Sequence, residues 1–242
     1  MTDGSRPNAR PAPEASRPLL IAHACNSERA LVRALDAGAD AVEADVWLEG
    51  DRLTLRHELR LPHVPLLVDK WYVRRARGLI ELPDLVREVD GRAGLFLDLK
   101  SRGERMARAV AAAIERLSRP LVQVSSRHWD LLDTLRDAFP GLSIWYSVGS
   151  RRELEALFDR ARRGRATADG VSLRHRLLDA DVAGRLRELG LRIYAWIVPD
   201  PARGERLTAL GAHGLIADDV RLWAAPAGDA LALAPVPVRD FP

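Results

Sequence analysis

Lysine is nearly missing from this chain. Of its 37 basic residues only Lys70 and Lys100 are lysines, and the rest are arginines. Cysteine is rarer still: a lone Cys25 excludes an intrachain disulfide and fits a reducing compartment. No apolar run is long enough to cross a membrane, and residues 1–17 lack the apolar middle of a signal peptide. These absences make a cytoplasmic location the expectation. The chain has no basic block and no interleaving of aromatic with basic residues. That argues against a nucleic-acid partner, so the formal charge of +3 is read as an arginine-rich surface that helps draw in anionic substrates. No Gly-x-Gly-x-x-Gly follows the first strand-like run, which weighs against a doubly wound dinucleotide-binding sheet.

What is present is a regular alternation. The 242 residues, 47% hydrophobic, suit one large domain with a full core. Strand-like apolar runs fall at 19–25, 41–48, 94–100, 121–126, 142–148, 170–174, 192–198 and 214–217. Helical patterns separate them at 27–37, 82–89, 103–117, 128–138, 150–163, 179–189 and 201–210. Ser27, Ser150 and Asp179 are candidate N-caps, and Gly38, Gly190 and Gly211 candidate helix ends. Eight apolar strands alternating with helices predict a parallel sheet covered on both faces, and eight closes a (β/α)8 TIM barrel. An open doubly wound sheet is the alternative. The expected domain spans 18–223, flanked by a disordered tail at 1–17 and a loosely packed Ala/Pro-rich tail at 224–242. One connection is long. An insertion of about 49–81 follows the second strand, and within it 52–57 alternates like a hairpin strand.

The chemistry concentrates at strand ends. Glu43 and Asp45 lie two apart on the second strand and so face the same way. Two buried like charges side by side call for a cation, and a divalent metal is the cheapest. Asp98 and Lys100 repeat the pattern on the next long strand. In a chain this poor in lysine, Lys100 suggests a place where a planar guanidinium would not serve. His23 ends the first strand, His57 lies in the insertion, Trp196 is late in the seventh strand and Asp218 follows the eighth. In a barrel all of these converge on the C-terminal face. Cys25 reads as a small apolar residue at a strand end. Trp196 reads as core or pocket wall, and Trp47, Trp71 and Tyr72 as pocket lining or insertion packing.

Residues 21–58 resemble the signature of the glycerophosphodiester phosphodiesterases, which runs His-Arg-Gly, Pro-Glu-Asn-Thr, Gly-Ala-Asp-x-x-Glu-x-Asp-Val and His-Asp. His23, Gly38-Ala39-Asp40, Glu43, Asp45-Val46 and His57-Glu58 match in order. Asp98-Leu99-Lys100 is similar to the family's Glu-x-Lys strand. The segments 190–200 and 211–219 are similar to its Trp-containing strand and its closing Asp. The resemblance implies one Mg2+ or Ca2+ held by Glu43, Asp45 and Asp98. It implies His23 and His57 as acid and base, their order open, and Lys100 on the phosphoryl oxygens. The substrate would be a small-molecule phosphodiester, most readily a glycerophosphodiester. It would be cleaved through a cyclic phosphate to an alcohol and a phosphomonoester. Four positions depart from the pattern. Ala24 stands for the Arg after the first His, Asn26-Ser27 is all that remains of Pro-Glu-Asn-Thr, Asp98 stands for Glu, and Glu58 for Asp. Arg56 or Arg60 is expected to restore the charge lost at Ala24. Two other readings stay open: a sibling lyase that stops at the cyclic phosphate, and a non-catalytic barrel that binds phosphorylated ligands.

Overall fold

A computed structural model describes residues 17–61, 64, 66–69, 72–75, 78–115 and 122–223. Trp71 and the two expected tails, apart from Arg17, lie outside them. In chain order the strands are β1 (Leu19–Ala22), β2 (Ala41–Glu49), β3 (Arg52–Leu55), β4 (Leu59–Arg60), β5 (Leu66–Val68), β6 (Val73–Arg75), β7 (Gly94–Leu99), β8 (Val122–Ser126), β9 (Ser143–Val148), β10 (Gly170–Arg174), β11 (Arg192–Trp196) and β12 (Gly214–Ala217). The helices are α1 (Glu28–Asp36), α2 (Leu82–Val89), α3 (Gly103–Glu115), α4 (Trp129–Ala138), α5 (Arg151–Arg162), α6 (Ala180–Glu188) and α7 (Pro201–Ala209).

β1, β2 and β7 to β12 pair in parallel, neighbour to neighbour, and β12 returns to β1. This is a closed eight-stranded (β/α)8 barrel. β3 hairpins back antiparallel onto β2, as the alternation at 52–57 predicts, and β4 to β6 form a separate small antiparallel sheet. The caps are the predicted ones: Ser27, Ser150 and Asp179 accept from the backbone N–H groups of Ala30, Glu153 and Val182. The Gly-Ala-Asp segment acts at the opposite end from the site. The Asp40 carboxylate accepts the Leu20 N–H at 2.7 Å and a two-pronged Arg17 guanidinium at 2.6 and 2.7 Å. It thereby clamps the lower ends of β1 and β2.

Period-two alternation sorts each strand's side chains. Val42, Ala44 and Val46 point outward and join the apolar layer beneath the helices, with Leu31, Leu85 and Leu132. Ala41, Glu43 and Asp45 point inward. The middle of the barrel is filled by Ile21, Phe96, Trp145, Tyr194 and Ile216. Trp145 stacks on Tyr194 at 3.7 Å between ring centroids, and Phe96 meets both edge-on. Gly170 makes room for this plug, since a Cβ there would lie 2.3 Å from the Trp145 ring. The polar layer rests on the plug.

Candidate active site

Two residues beyond the plug, the same strands change character. Glu43 and Asp45 on β2, Asp98 on β7, Ser125 on β8, Ser147 on β9, Ser172 on β10 and Trp196 on β11 line a cavity of about 320 Å3. His23 and His57 reach it from the ends of β1 and β3. Asp45 and Asp98 sit directly opposite one another in the β2–β7 register. Ligand oxygens of Glu43, Asp45 and Asp98 can all lie within 4.8 Å of each other, as the spacing predicts.

Each carboxylate is aimed by a partner. Ala24, in the left-handed region at φ 52°, donates its N–H to Glu43 Oε2 at 2.7 Å. Asn26 grips Asp45 twice, donating from Nδ2 to Oδ2 at 2.6 Å and accepting the Asp45 N–H at 2.9 Å. Ser125 donates to Asp98 Oδ1 at 2.8 Å. Lys100 bridges the pair, with its ammonium 2.7 Å from Asp45 Oδ1 and against Asp98 Oδ2. The histidines are oriented in the same fashion. His23 Nδ1 lies 2.7 Å from Asp218 and His57 Nδ1 3.2 Å from Asp69. Both rings are thus left with Nε2 for proton transfer. His23 Nε2 is 3.9 Å from Glu43 Oε2.

The electrostatics follow from burial. Desolvation first, and the neighbouring Asp45 charge second, push the Glu43 carboxyl up to about 8. Desolvation works against the charged form of His23, yet its bond to Asp218 and the Glu43 and Asp45 charges outweigh it and raise the imidazole to about 9. The same contest at Lys100 is won by Asp98, Asp45 and Glu43, which hold the ammonium well above its ordinary range. Three carboxylates face one ammonium, and Glu43 Oε1 meets no donor among the described residues. The all-oxygen set, the crowding of carboxylates that raises Glu43 and that open lone pair fit a hard divalent cation, whose binding would draw the proton off Glu43. Cys25 is inert: its thiol donates to the Ala22 carbonyl at 3.6 Å, and burial pushes it up to about 12.

One expectation needs correction. Arg56 and Arg60 do not supply the charge missing at Ala24. Both are drawn to Glu49, at 3.0 and 2.7 Å, and Arg56 is buried over the Trp47 ring with a further bond to the Glu58 carbonyl. The guanidinium that enters the cavity is Arg127, just past β8, 5.8 Å from the Trp196 ring centroid. Gly149 gives it space, since a Cβ there would stand 2.5 Å from Arg127 Nη2. The available sequence signal was an arginine immediately after an apolar strand, where barrel sites are built. Trp47, on β2, donates to the Arg56 carbonyl of the insertion, and Tyr72, within the insertion, donates to Glu58. Trp196 is pocket wall, its indole N–H on the Ser172 carbonyl at 2.9 Å.

No family model matches the chain, and no curated protein does. Solved structures do. A phosphodiesterase from Oleispira antarctica, in complex with the product sn-glycerol-3-phosphate, superposes over 84% of this chain and 94% of its own with TM-score 0.68 at 17% identity. A glycerophosphodiester phosphodiesterase from Thermotoga maritima covers 86% and 98% with TM-score 0.66 at 20% identity. One from Agrobacterium tumefaciens covers 85% and 98% with TM-score 0.66 at 17% identity. The fold of this chain is that of the barrel these enzymes share.

Proposed function

We propose that this chain, built on the glycerophosphodiester phosphodiesterase barrel, is a metal-dependent phosphodiesterase acting on a small glycerophosphodiester. The observation that carries the reading is one cavity in which three clustered carboxylates and a bridging lysine face two histidines, each oriented by its own aspartate. Glu43, Asp45 and Asp98 would hold one Mg2+ or Ca2+, which when bound supplies Lewis-acid polarisation of a phosphoryl oxygen. Lys100 and Arg127 bring positive charge to the remaining phosphoryl oxygens. One histidine takes the proton from the substrate hydroxyl next to the phosphodiester as that oxygen attacks phosphorus. The other protonates the departing alcohol oxygen. Water then opens the cyclic phosphate with the two roles exchanged. Asp218 and Asp69 keep each ring in one tautomer through the cycle. Ser125, Ser147 and Ser172 line the floor and offer hydroxyls to the polar substrate.

No helix among the described residues is long and apolar enough to cross a membrane. We place the enzyme in a reducing compartment, the cytoplasm, on its single, buried and unpaired cysteine. The test is a panel of glycerophosphodiesters followed by phosphorus NMR, with and without chelator. Release of glycerol 3-phosphate that stops in chelator supports the proposal. Accumulation of a cyclic phosphate replaces hydrolysis with the lyase reading, and inertness toward every diester with added metal removes both.

A further inference from the structure

The carboxylate cavity has a neighbour. On the far side of Arg127 a second cavity, of about 560 Å3, opens between the ends of β7 and β8 and the first turns of α3 and α4. Arg127 lines both. Arg102, two residues beyond Lys100, enters the second one. Its Nε donates to His128 Nε2 at 3.3 Å, and the His128 ring also meets the Lys100 backbone carbonyl. The subsite is therefore tied to the same loop that carries the catalytic ammonium. His128 is held below its ordinary value by burial and then by the Arg102 and Arg127 charges, so it stays neutral and can accept the Arg102 bond.

A census of charge in this cavity singles out two cations. Arg160 is committed to Asp133, and Glu104 to Arg108 at 3.2 Å. That leaves Arg102 and Arg127 against Asp130. Among the described residues neither guanidinium has a carboxylate within ion-pair distance. Arg127 lines both cavities and Arg102 the second alone, and two forks of N–H donors with no carboxylate partner suit an anion with several oxygens, such as a phosphate, better than a neutral sugar.

We propose that this second cavity receives a phosphomonoester on the alcohol portion of the substrate, gripped by Arg102 and Arg127. The preferred substrate is then a phosphodiester whose alcohol carries a further phosphate. The inference rests on the phosphodiesterase reading and narrows it. Its test compares two diesters that differ by one phosphate, glycerophosphoinositol and glycerophosphoinositol 4-phosphate, with the wild type, Arg102→Ala and Arg102→Lys in saturating magnesium. Wild type is expected to favour the phosphorylated diester by about tenfold or more in kcat/KM, through KM, because the contact lies away from the reacting atoms. Arg102→Ala reduces that preference to within about twofold, and Arg102→Lys restores part of it. Equal use of the two diesters by wild type, or an unchanged preference in Arg102→Ala, overturns the inference and leaves the phosphodiesterase reading standing. Turnover of neither diester leaves the hydrolytic reading to be decided by the wider diester panel. Calorimetric titration with inositol 1,4-bisphosphate then decides the cavity alone: weaker binding to Arg102→Ala than to wild type supports it, and equal binding refutes it.

Discussion

The lower half of the barrel interior is packed with rings, the upper half with charges, and the same strands supply both. β2 contributes Ala41 to the first and Glu43 and Asp45 to the second. β7 contributes Phe96 and then Asp98, β9 Trp145 and then Ser147, β11 Tyr194 and then Trp196. Below, side chains touch one another and exclude water, and the two polar tips, Tyr194 Oη and Trp145 Nε1, donate to Gln123 at 3.1 Å and to Ser143 at 3.2 Å. Above, like charges are crowded at a cost to folding and held there by Ala24, Asn26, Ser125 and Lys100. A step of two residues along a strand thus separates stability from activity, and substitutions in the two layers should fail in different ways.

The sharpest break is expected in the upper layer. His23→Ala or His57→Ala should lower kcat/KM by about a thousandfold, within the range of general acid–base catalysis, while the circular dichroism spectrum and urea midpoint stay near wild type. A variant that retains its rate removes that histidine from the mechanism. Trp145→Ala should do the reverse, costing about 3–5 kcal/mol in urea unfolding because it empties the plug. A cost under about 1 kcal/mol would show that the rings are not the foundation of the site.

The charge crowding can be read from pH. With chelator present Glu43 titrates at about 8 in the folded chain against 4.5 without its surroundings. Between those values the folded state holds a proton that the unfolded state has released, so stability falls as pH rises through the window. Glu43→Gln should flatten the decline of the melting temperature from about pH 5 to pH 8. Equal slopes in both proteins would contradict the burial argument. Asn26→Ala loosens only the aim of Asp45, and a loss of about tenfold or more in magnesium or calcium affinity by calorimetry is expected. Smallest of all, Tyr194→Phe gives up the bond to Gln123 and should cost about 1 kcal/mol with activity intact.

The division between layers also explains what could be read from the sequence. The barrel was legible because the eight strands and their helices repeat with clear apolar periods, and Glu43, Asp45, Asp98 and Lys100 because period two places them without knowledge of the neighbours. Partners were not. Asn26 reaches Asp45 across 19 residues, and Asp69 reaches His57 from the part of the insertion whose short strands β4 to β6 carry no periodic signal. The choice among arginines failed for a related reason. Arg56 and Arg60 are near His57 in sequence, yet Glu49 across the β2–β3 hairpin claims both, while Arg127, remote in sequence, is brought in by barrel closure. The aromatic plug was invisible as a unit because Phe96, Trp145 and Tyr194 are scattered over three strands.

β1 is only four residues long, meets β2 at just two positions, and finds its full complement of partners in β12 at the other end of the chain. The bond between His23 and Asp218 spans 195 positions of sequence. A ribosome making this protein therefore releases the first strand long before its mate exists, and the bond between His23 and Asp218 is made by the final act of closure. A chain that stops before β12 lacks both the strand that closes the barrel on β1 and the aspartate that holds His23.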